Sequence, residues 1–295
     1  MPLPNIELLD QGFGVSGKVK FSLGKGNLPK ICIFTKKSSA EIYLHGAHLT
    51  SFKTLGRELI WLSPNAEFQN DKAIRGGVPI CWPWFGKHPQ NSTLPQHGFA
   101  RLSNFEVSQA FEDELENIVI VLSLESGNKP LSMFPYQFRL EIKFVIGENL
   151  EVSLTTMNQG NESFRITEAI HTYFQVTDIR QTAVNGLDKV SYFDQLEQTS
   201  YTHAGNLFFI EETDNIFSSP EQPLQILEAG ENIASINQHG ANSTIIWNPW
   251  IDKSRQMRDF PNQGYLNMLC IEAANTDEGV LIQPGKQHTI TQIID

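Results

Sequence analysis

Apolar and polar residues alternate over two neighbouring stretches near the middle of the chain. From Phe138 to Ile146 (FRLEIKFVI) every second residue is apolar, and the stretch that begins at Leu150 (LEVSLTTM) repeats the pattern. A period of two is typical of a strand with one buried face, because successive side chains point to opposite faces of a sheet. The intervening GEN is short enough for a tight turn. The two stretches are therefore predicted to form a β-hairpin.

Strand patterns recur along the rest of the chain, whereas helical patterns are weak. The apolar stretch from Asn117 (NIVIVLSLES) predicts a strand buried on both faces, and shorter strand patterns are ICIFT, AEIYLHGAHLTSF, STIIWNPW, MLCIEAAN and HTITQII. Only DKSRQMRDF, from Asp252, predicts a short helix. Many strands separated by Gly, Pro and Asn turns predict an all-β fold, a large antiparallel β-sandwich with few short helices. No repeat or linker divides the chain, so residues 1–295 are predicted to form a single domain.

Composition excludes several classes of partner. The 295 residues include 22 basic and 33 acidic side chains, a net charge of -11, which argues against nucleic-acid binding. No apolar stretch is long enough to predict a membrane span, and the N-terminus lacks the pattern of a signal peptide. Three cysteines do not suggest a disulfide framework. We therefore expect a cytoplasmic protein with reduced thiols, and a monomer.

Candidate catalytic groups lie in apolar surroundings. His171, in FRITEAIHTYFQV, is either a structural core histidine or an acid–base group, and the residues alone leave this open. Glu272, in NMLCIEAANT, is a carboxylate in an otherwise apolar strand, where a buried acid needs a partner or a task. Asp214, in FFIEETDNIF, either caps a turn or contacts a ligand. His45 and His48 lie three apart, on opposite faces of a strand unless Gly46 makes a turn, so no metal site is predicted.

Two arginines flank a stiff segment rich in proline and aromatic residues. IRGGVPICWPWFGKHPQNSTLPQHGFARLSNF contains Arg75 near its start and Arg101 near its end. In so acidic a chain, these two suggest a local anionic partner. From the residues alone, the reaction stays open.

Seven segments, in order along the chain, resemble the aldose 1-epimerase (galactose mutarotase) superfamily and its hexose-6-phosphate mutarotase branch. They are YLHGAHLTSF, IRGGVPICWPWFG, QHGFAR, EAIHTYF, ETDNIF, IIWNPW and CIEAAN. The resemblance implies a β-supersandwich with a sugar-binding cleft. It also implies interconversion of the α and β anomers of a hexose 6-phosphate, with glucose 6-phosphate the expected substrate, and it calls for no metal, nucleotide or redox cofactor.

The resemblance also implies roles for individual residues. His171 matches the family's general acid and Glu272 its general base. Arg75 and Arg101 match the arginines that hold the phosphate, helped by the glutamine at Gln96.

Two further positions match residues that contact the sugar. His97 matches a second histidine that faces the ring, and Asp214 matches an acidic residue that contacts sugar hydroxyls. The family usually places a basic residue after that acid, whereas this chain has Asn215.

Two other functions remain as alternatives. An aldose 1-epimerase for unphosphorylated sugars would not need the arginines. A non-catalytic protein that binds sugar phosphates would not need an acid and a base.

Overall fold

Antiparallel strands in three sheets dominate the computed structural model, which describes residues 5–127 and 131–295. The first sheet comprises, in spatial order, β1 (Val19–Leu23), β2 (Pro29–Phe34), β3 (Ser38–Tyr43), β4 (His48–Thr54) and β5 (Arg57–Glu58). The nine-stranded sheet comprises β16 (Leu207–Phe208), β13 (Thr182–Asn185), β18 (Leu224–Glu228), β19 (Glu231–His239), β22 (Gln287–Ile294), β10 (Leu150–Asn158), β9 (Phe138–Ile146), β8 (Ile118–Glu125) and β7 (Glu106–Glu112). The eight-stranded sheet comprises β15 (Thr199–Thr202), β14 (Ser191–Asp194), β17 (Thr213–Ser218), β20 (Ser243–Asn248), β21 (Met268–Ile282), β11 (Phe164–Ile170) and β6 (Ile80–Cys81), with β12 (Tyr173–Gln175) also paired to β21. The predicted all-β antiparallel sandwich is confirmed.

The predicted hairpin is present with the expected register. β9 and β10 pair antiparallel, and Ile146 lies opposite Leu150 across the turn. All five apolar residues of β9 that alternate along it are fully buried, at 0% exposure. The first six residues of β8 are buried without alternation, which confirms a strand covered on both faces.

Helices are short and lie at the periphery. Across the described residues they are α1 (Ile6–Phe13), α2 (Trp250–Gln256) and the 3₁₀ turns Lys25–Asn27, Ala100–Leu102, Ile179–Gln181 and Gly264–Asn267. The prediction of a helix from Asp252 is confirmed by α2, although α2 begins at Trp250. The sequence did not predict α1. None of its residues is fully buried, but Ile6, Leu9 and Phe13 pack against the main core. The side chain of Asn5 caps α1 by accepting from the N–H of Glu7 at 2.9 Å.

The main core lies between the nine-stranded and eight-stranded sheets. Leu140 and Ile142 of β9 share one buried cluster with Ile170 of β11 and Ile271 of β21. Alternate residues of β21 turn the other way and join a smaller cluster on the outer face of the eight-stranded sheet. That outer face carries the candidate site.

No helix within residues 5–127 or 131–295 combines the length and the apolar character that a bilayer crossing needs.

Candidate active site

Strand register places a row of side chains across the outer face of the eight-stranded sheet. Asp214 of β17 lies opposite Trp247 of β20, Trp247 opposite Cys270 of β21, and Cys270 opposite Tyr173 of β12. Residues directly opposite each other on neighbouring strands point to the same face. Glu272 is two residues beyond Cys270, so its side chain projects from that face as well.

His171 and Glu272 come together at the centre of this face. His171 Nδ1 and Glu272 Oε1 are 3.1 Å apart, and the residues are 8% and 1% exposed. The atoms are close, but their alignment is too poor for a hydrogen bond, and Nδ1 and Glu272 Oε2 are both buried without a partner. The His171 ring stacks on Tyr173 with centroids 4.9 Å apart and an interplanar angle of 8°. The structure thus joins two residues that are far apart in the chain into one pair.

Burial shifts the protonation of both members of the pair towards their uncharged forms. It lowers the pKa of His171 well below its usual value, and the neighbouring His97, Arg101 and Arg75 lower it further. It raises the pKa of Glu272 well above its usual value, and the carboxylate of Asp214 adds to that rise. Such opposed shifts are typical of groups that exchange a proton during a reaction.

Arg75 reaches the site through a tightly folded segment. Gly76 follows it with a φ of 88°, and a Cβ there would lie 2.7 Å from the carbonyl oxygen of Trp61, so only glycine fits. The Arg75 side chain is anchored twice: Nε lies 3.1 Å from Asp259 Oδ2, and Nη1 donates to the Tyr173 hydroxyl at 3.3 Å. Tyr173 therefore contacts Arg75 through its hydroxyl and His171 through its ring.

Arg101 lies in the 3₁₀ turn Ala100–Leu102 and has no such carboxylate. Among the described residues, none of the ion pairs within 4.0 Å includes its guanidinium, and its Nε is buried without a hydrogen-bond partner. Its Nη2 donates to the backbone carbonyl of Gln96 at 2.7 Å. Gln96, which the resemblance assigns to phosphate binding, is itself exposed. Burial lowers the pKa of Arg101, and the positive charge of Arg75 lowers it further, so the two guanidinium groups are close enough to affect each other. Of these two guanidinium groups, only that of Arg75 is paired with a carboxylate among the described residues, so one of the two positive charges is surplus.

His97 lies beside His171 and has a defined tautomer when neutral. The two rings have centroids 6.0 Å apart. His97 Nδ1 accepts from the backbone N–H of Gly86 at 3.2 Å, which leaves Nε2 to carry the proton. Burial and the charges of Arg101 and Arg75 lower the pKa of His97 to about 3, so it stays a neutral hydrogen-bond donor.

Asp214 lies at the edge of the site. Its Oδ1 accepts from Gln195 Nε2 at 2.6 Å, and burial raises its pKa to about 6. Asn215, where the family usually has a basic residue, points to the opposite face of β17 and is 6% exposed.

Three potential metal ligands are also gathered here. His171, Cys270 and Glu272 each offer one ligand atom, and these atoms lie within 4.8 Å of one another. Burial raises the pKa of Cys270 well above its usual value, which keeps the thiol protonated and makes it a poor ligand. A cation here would also occupy the lone pairs that acid–base chemistry needs, so the two uses exclude each other.

The other histidines considered for metal binding are structural. A turn does form at Gly46, between β3 and β4, but His45 Nε2 and His48 Nε2 bond to the backbone carbonyls of Lys72 and Gly76, each at 2.7 Å. Trp82 is also structural: it packs in the main core and donates to Thr156 Oγ1 at 2.9 Å.

Two neighbours of the predicted residues were not found from the sequence. Asp259 lies in a turn 184 residues from Arg75, and nothing in the local pattern links the two. Tyr173 stands in the EAIHTYF segment, where its position two residues after His171 on a strand was a usable signal, since such residues share a face.

The site thus combines a buried acid and a buried imidazole on the outer face of a large antiparallel sandwich. Residues 29–295 match the family described as Aldose 1-epimerase, and the chain belongs to that family. The protein is thus an isomerase of the epimerase type.

Similar proteins span nearly the whole chain. A protein of Escherichia coli (strain K12) named "Putative glucose-6-phosphate 1-epimerase" is 35% identical over 263 residues, or 86% of each chain. A protein of Cenchrus ciliaris with the same name is 34% identical over 260 residues, 84% of this chain and 78% of that one. The crystal structure described as "a putative mutarotase" from Salmonella typhimurium superposes with a TM-score of 0.88 at 30% identity, and covers 96% of this chain and 94% of that one.

Proposed function

We propose that this protein interconverts the α and β anomers of a hexose 6-phosphate, with glucose 6-phosphate as the first substrate to test. The names of the relatives from Escherichia coli and Cenchrus ciliaris support this substrate class. The observation that carries the proposal is the pair of neighbouring guanidinium groups, Arg75 and Arg101, beside His171 and Glu272. A phosphate dianion matches the surplus positive charge, and guanidinium forks suit its oxygens.

In the proposed reaction, Glu272 and His171 move protons at opposite ends of one bond change. The reactive form of the pair carries Glu272 as the carboxylate and His171 as the imidazolium. From that form, Glu272 removes the proton from the anomeric hydroxyl while His171 protonates the ring oxygen, and the C1–ring oxygen bond breaks. The open-chain aldehyde rotates about C1–C2, and closure on its other face returns both protons. Neutral His97 and Asp214 are placed to hydrogen-bond the sugar.

The phosphate also prepares the acid. Burial is the main cause of the lowered pKa of His171, and the positive charges of Arg101 and Arg75 lower it further. A bound dianion offsets those charges, so we expect it to raise the pKa of His171 and favour the protonated form that donates to the ring oxygen.

Exchange NMR on the anomeric protons tests the function directly. The protein is expected to accelerate exchange between the anomers of glucose 6-phosphate well beyond the spontaneous rate, and to accelerate exchange of free glucose much less. Equal acceleration of both sugars would instead favour an epimerase for unphosphorylated sugars. Binding of glucose 6-phosphate without acceleration would favour a non-catalytic binding protein.

Substitution of Arg101 tests whether this residue binds the phosphate or only supports the fold. Arg101→Ala is expected to raise KM for glucose 6-phosphate with less effect on kcat, for a loss of about 2–4 kcal/mol in kcat/KM, because the contact is made equally in the ground and transition states. The matched control is Arg180→Ala, which removes an exposed arginine paired with Asp178. An equal loss on free glucose, or an unchanged preference for the phosphorylated sugar, would rule out the phosphate clamp.

A further inference from the structure

A buried amide lies directly behind the His171–Glu272 pair. Gln292 of β22 is 0% exposed, and its core-facing neighbours along the strand, Ile290 and Ile294, are apolar and equally buried. Burial of an amide is unfavourable unless its polar atoms are hydrogen-bonded. The contacts of Gln292 therefore indicate why an amide is kept in the core.

Gln292 bonds to the residues next to both members of the pair. Its Nε2 donates to the carbonyl oxygen of Ile271, immediately before Glu272, at 2.9 Å. Its Oε1 accepts from the hydroxyl of Thr172, immediately after His171. A carbonyl only accepts, so the bond to Ile271 determines which end of the amide faces which strand.

These bonds lie where the pairing of β21 with β11 and β12 is interrupted. β11 pairs with β21 as far as Ile170 opposite Ala273, and pairing resumes with Tyr173 of β12 opposite Cys270. Between them the backbone departs from the ladder, and the N–H of His171 donates to the carbonyl of Pro79 at 3.0 Å. The N–H of Ile271 still donates to the carbonyl of Thr172 at 3.2 Å.

The carbonyl of Ile271 must find its partner elsewhere. In an antiparallel pair, the N–H and C=O of one residue point to the same neighbouring strand. The ladder offers no second bond on that side, where Gln292 Nε2 donates instead. One side chain from the opposite sheet thus joins the two backbone segments that carry His171 and Glu272.

We propose that Gln292 is a positioning residue for the His171–Glu272 pair. With Thr172, it holds the interrupted strand against β21, so that His171 Nδ1 and Glu272 Oε1 keep their 3.1 Å separation. Proton transfer is steep in distance and alignment, so a small shift of either strand lowers turnover. The proposal rests on the proposed function, because it assigns a consequence for catalysis to this geometry.

Variants of Thr172 and Gln292 test the positioning role on glucose 6-phosphate. Thr172→Val and Gln292→Met are expected to lower kcat by about tenfold or more, with KM changed by less than about threefold, because neither residue contacts Arg75 or Arg101. Thr172→Ser keeps the hydroxyl and is expected to stay within about threefold of the wild-type kcat. Wild-type kcat in folded Gln292→Met, or equal losses in Thr172→Val and Thr172→Ser, would overturn the proposal.

Asn158 provides a matched control. It is a buried amide on the neighbouring strand β10, and its Nδ2 donates to the carbonyls of Ile282 and Glu162 at 2.9 and 2.8 Å, at the far end of the same β11–β21 pair. Asn158→Leu should lower the melting temperature yet leave kcat per folded molecule near the wild-type value. An equal fall in kcat in Asn158→Leu and Gln292→Met would mean that general destabilisation is the cause.

A second readout separates this proposal from the proposed function. Absence of anomer exchange with the wild-type protein would refute the function. The positioning role would then be judged from the imidazole NMR resonances of His171, which are expected to shift in Gln292→Met and not in Asn158→Leu. Unchanged resonances in Gln292→Met would refute the positioning role.

Discussion

At the scale of single residues, Glu272 is a carboxylate held almost wholly out of water, with 1% of its surface exposed. Glu272→Gln keeps the shape and removes the base, so we expect kcat on glucose 6-phosphate to fall by about 100-fold or more. Binding should be largely spared, because Arg75 and Arg101 are unchanged. Exchange NMR measures the turnover, and calorimetric titration with glucose 6-phosphate measures the binding.

The control for this substitution is another buried glutamate. Glu168 of β11 is 0% exposed but faces the core between the sheets. Glu168→Gln is expected to keep wild-type turnover, whereas His171→Asn should lose it as Glu272→Gln does. Near-normal exchange in Glu272→Gln would remove Glu272 from the mechanism. If His171→Asn merely unfolds the protein, His171 is a structural core residue.

His48 makes the free energy of unfolding depend on pH. Burial lowers its pKa to about 3, against about 6.5 in an unfolded chain, so the unfolded state binds one more proton between those values. The stability that this histidine contributes is therefore complete above pH 6.5 and is lost as the pH falls below it. We expect the free energy of unfolding of the wild type, relative to His48→Gln, to fall by about 1.4 kcal/mol per pH unit below 6.5. Urea unfolding at several pH values measures it, and a constant difference across pH would contradict the assignment.

At the scale of secondary-structure elements, β11 uses its two faces for different tasks. His171 directly follows β11 and lies on the outer face, towards the site. Glu168 points into the core, where its Oε1 lies 3.3 Å from His288 Nε2 of β22 and 3.1 Å from Asn275 Nδ2 of β21. The contact therefore links three strands in two sheets. We expect this contact to stabilise the packing of the two sheets, since within the described part of the chain it involves no candidate site residue.

Truncation of Glu168 tests whether this residue stabilises the fold without affecting the site. Glu168→Ala removes a buried acceptor from Asn275 and the carboxylate beside His288, although these two residues still bond to each other at 2.9 Å, so the free energy of unfolding should fall by about 1–3 kcal/mol. Glu168→Gln, which keeps one acceptor, should lose less. Denaturant titration gives the stabilities, and exchange NMR should show normal kcat in the folded fraction. A large loss of kcat in folded Glu168→Ala would show that this face of β11 also positions the site.

At the scale of the whole molecule, one buried cluster extends from Val19 near the start of the described residues to Ile294 near their end. We propose on this basis that the chain forms one domain, with residues 1–4 and 128–130 outside the described structure. A shared core predicts one cooperative thermal transition in which the calorimetric and van't Hoff enthalpies agree. Two resolved transitions in differential scanning calorimetry would indicate separate domains.

The sequence by itself determined the local structure and the chemistry of the chain. Alternation in FRLEIKFVI and LEVSLTTM was sufficient for the β9–β10 hairpin and its register, because a strand with one buried face must repeat every second residue. The residue types in EAIHTYF and CIEAAN were sufficient to nominate His171 and Glu272. The candidate acid, base and cations were therefore available from the sequence with its family resemblance.

Only the tertiary structure decided how those residues meet. The contact of Arg75 with Asp259, the approach of His171 to Glu272, and the bonds of Gln292 behind the pair all join segments far apart in the chain. The backbone through EAIHTYF also leaves the ladder at His171 and Thr172, where the N–H of His171 donates to the carbonyl of Pro79 and the hydroxyl of Thr172 donates to Gln292. Hydrophobic periodicity reports which face of an element is buried, whereas these contacts depend on which strands become neighbours and in which register, and that is set by the packing of the two sheets.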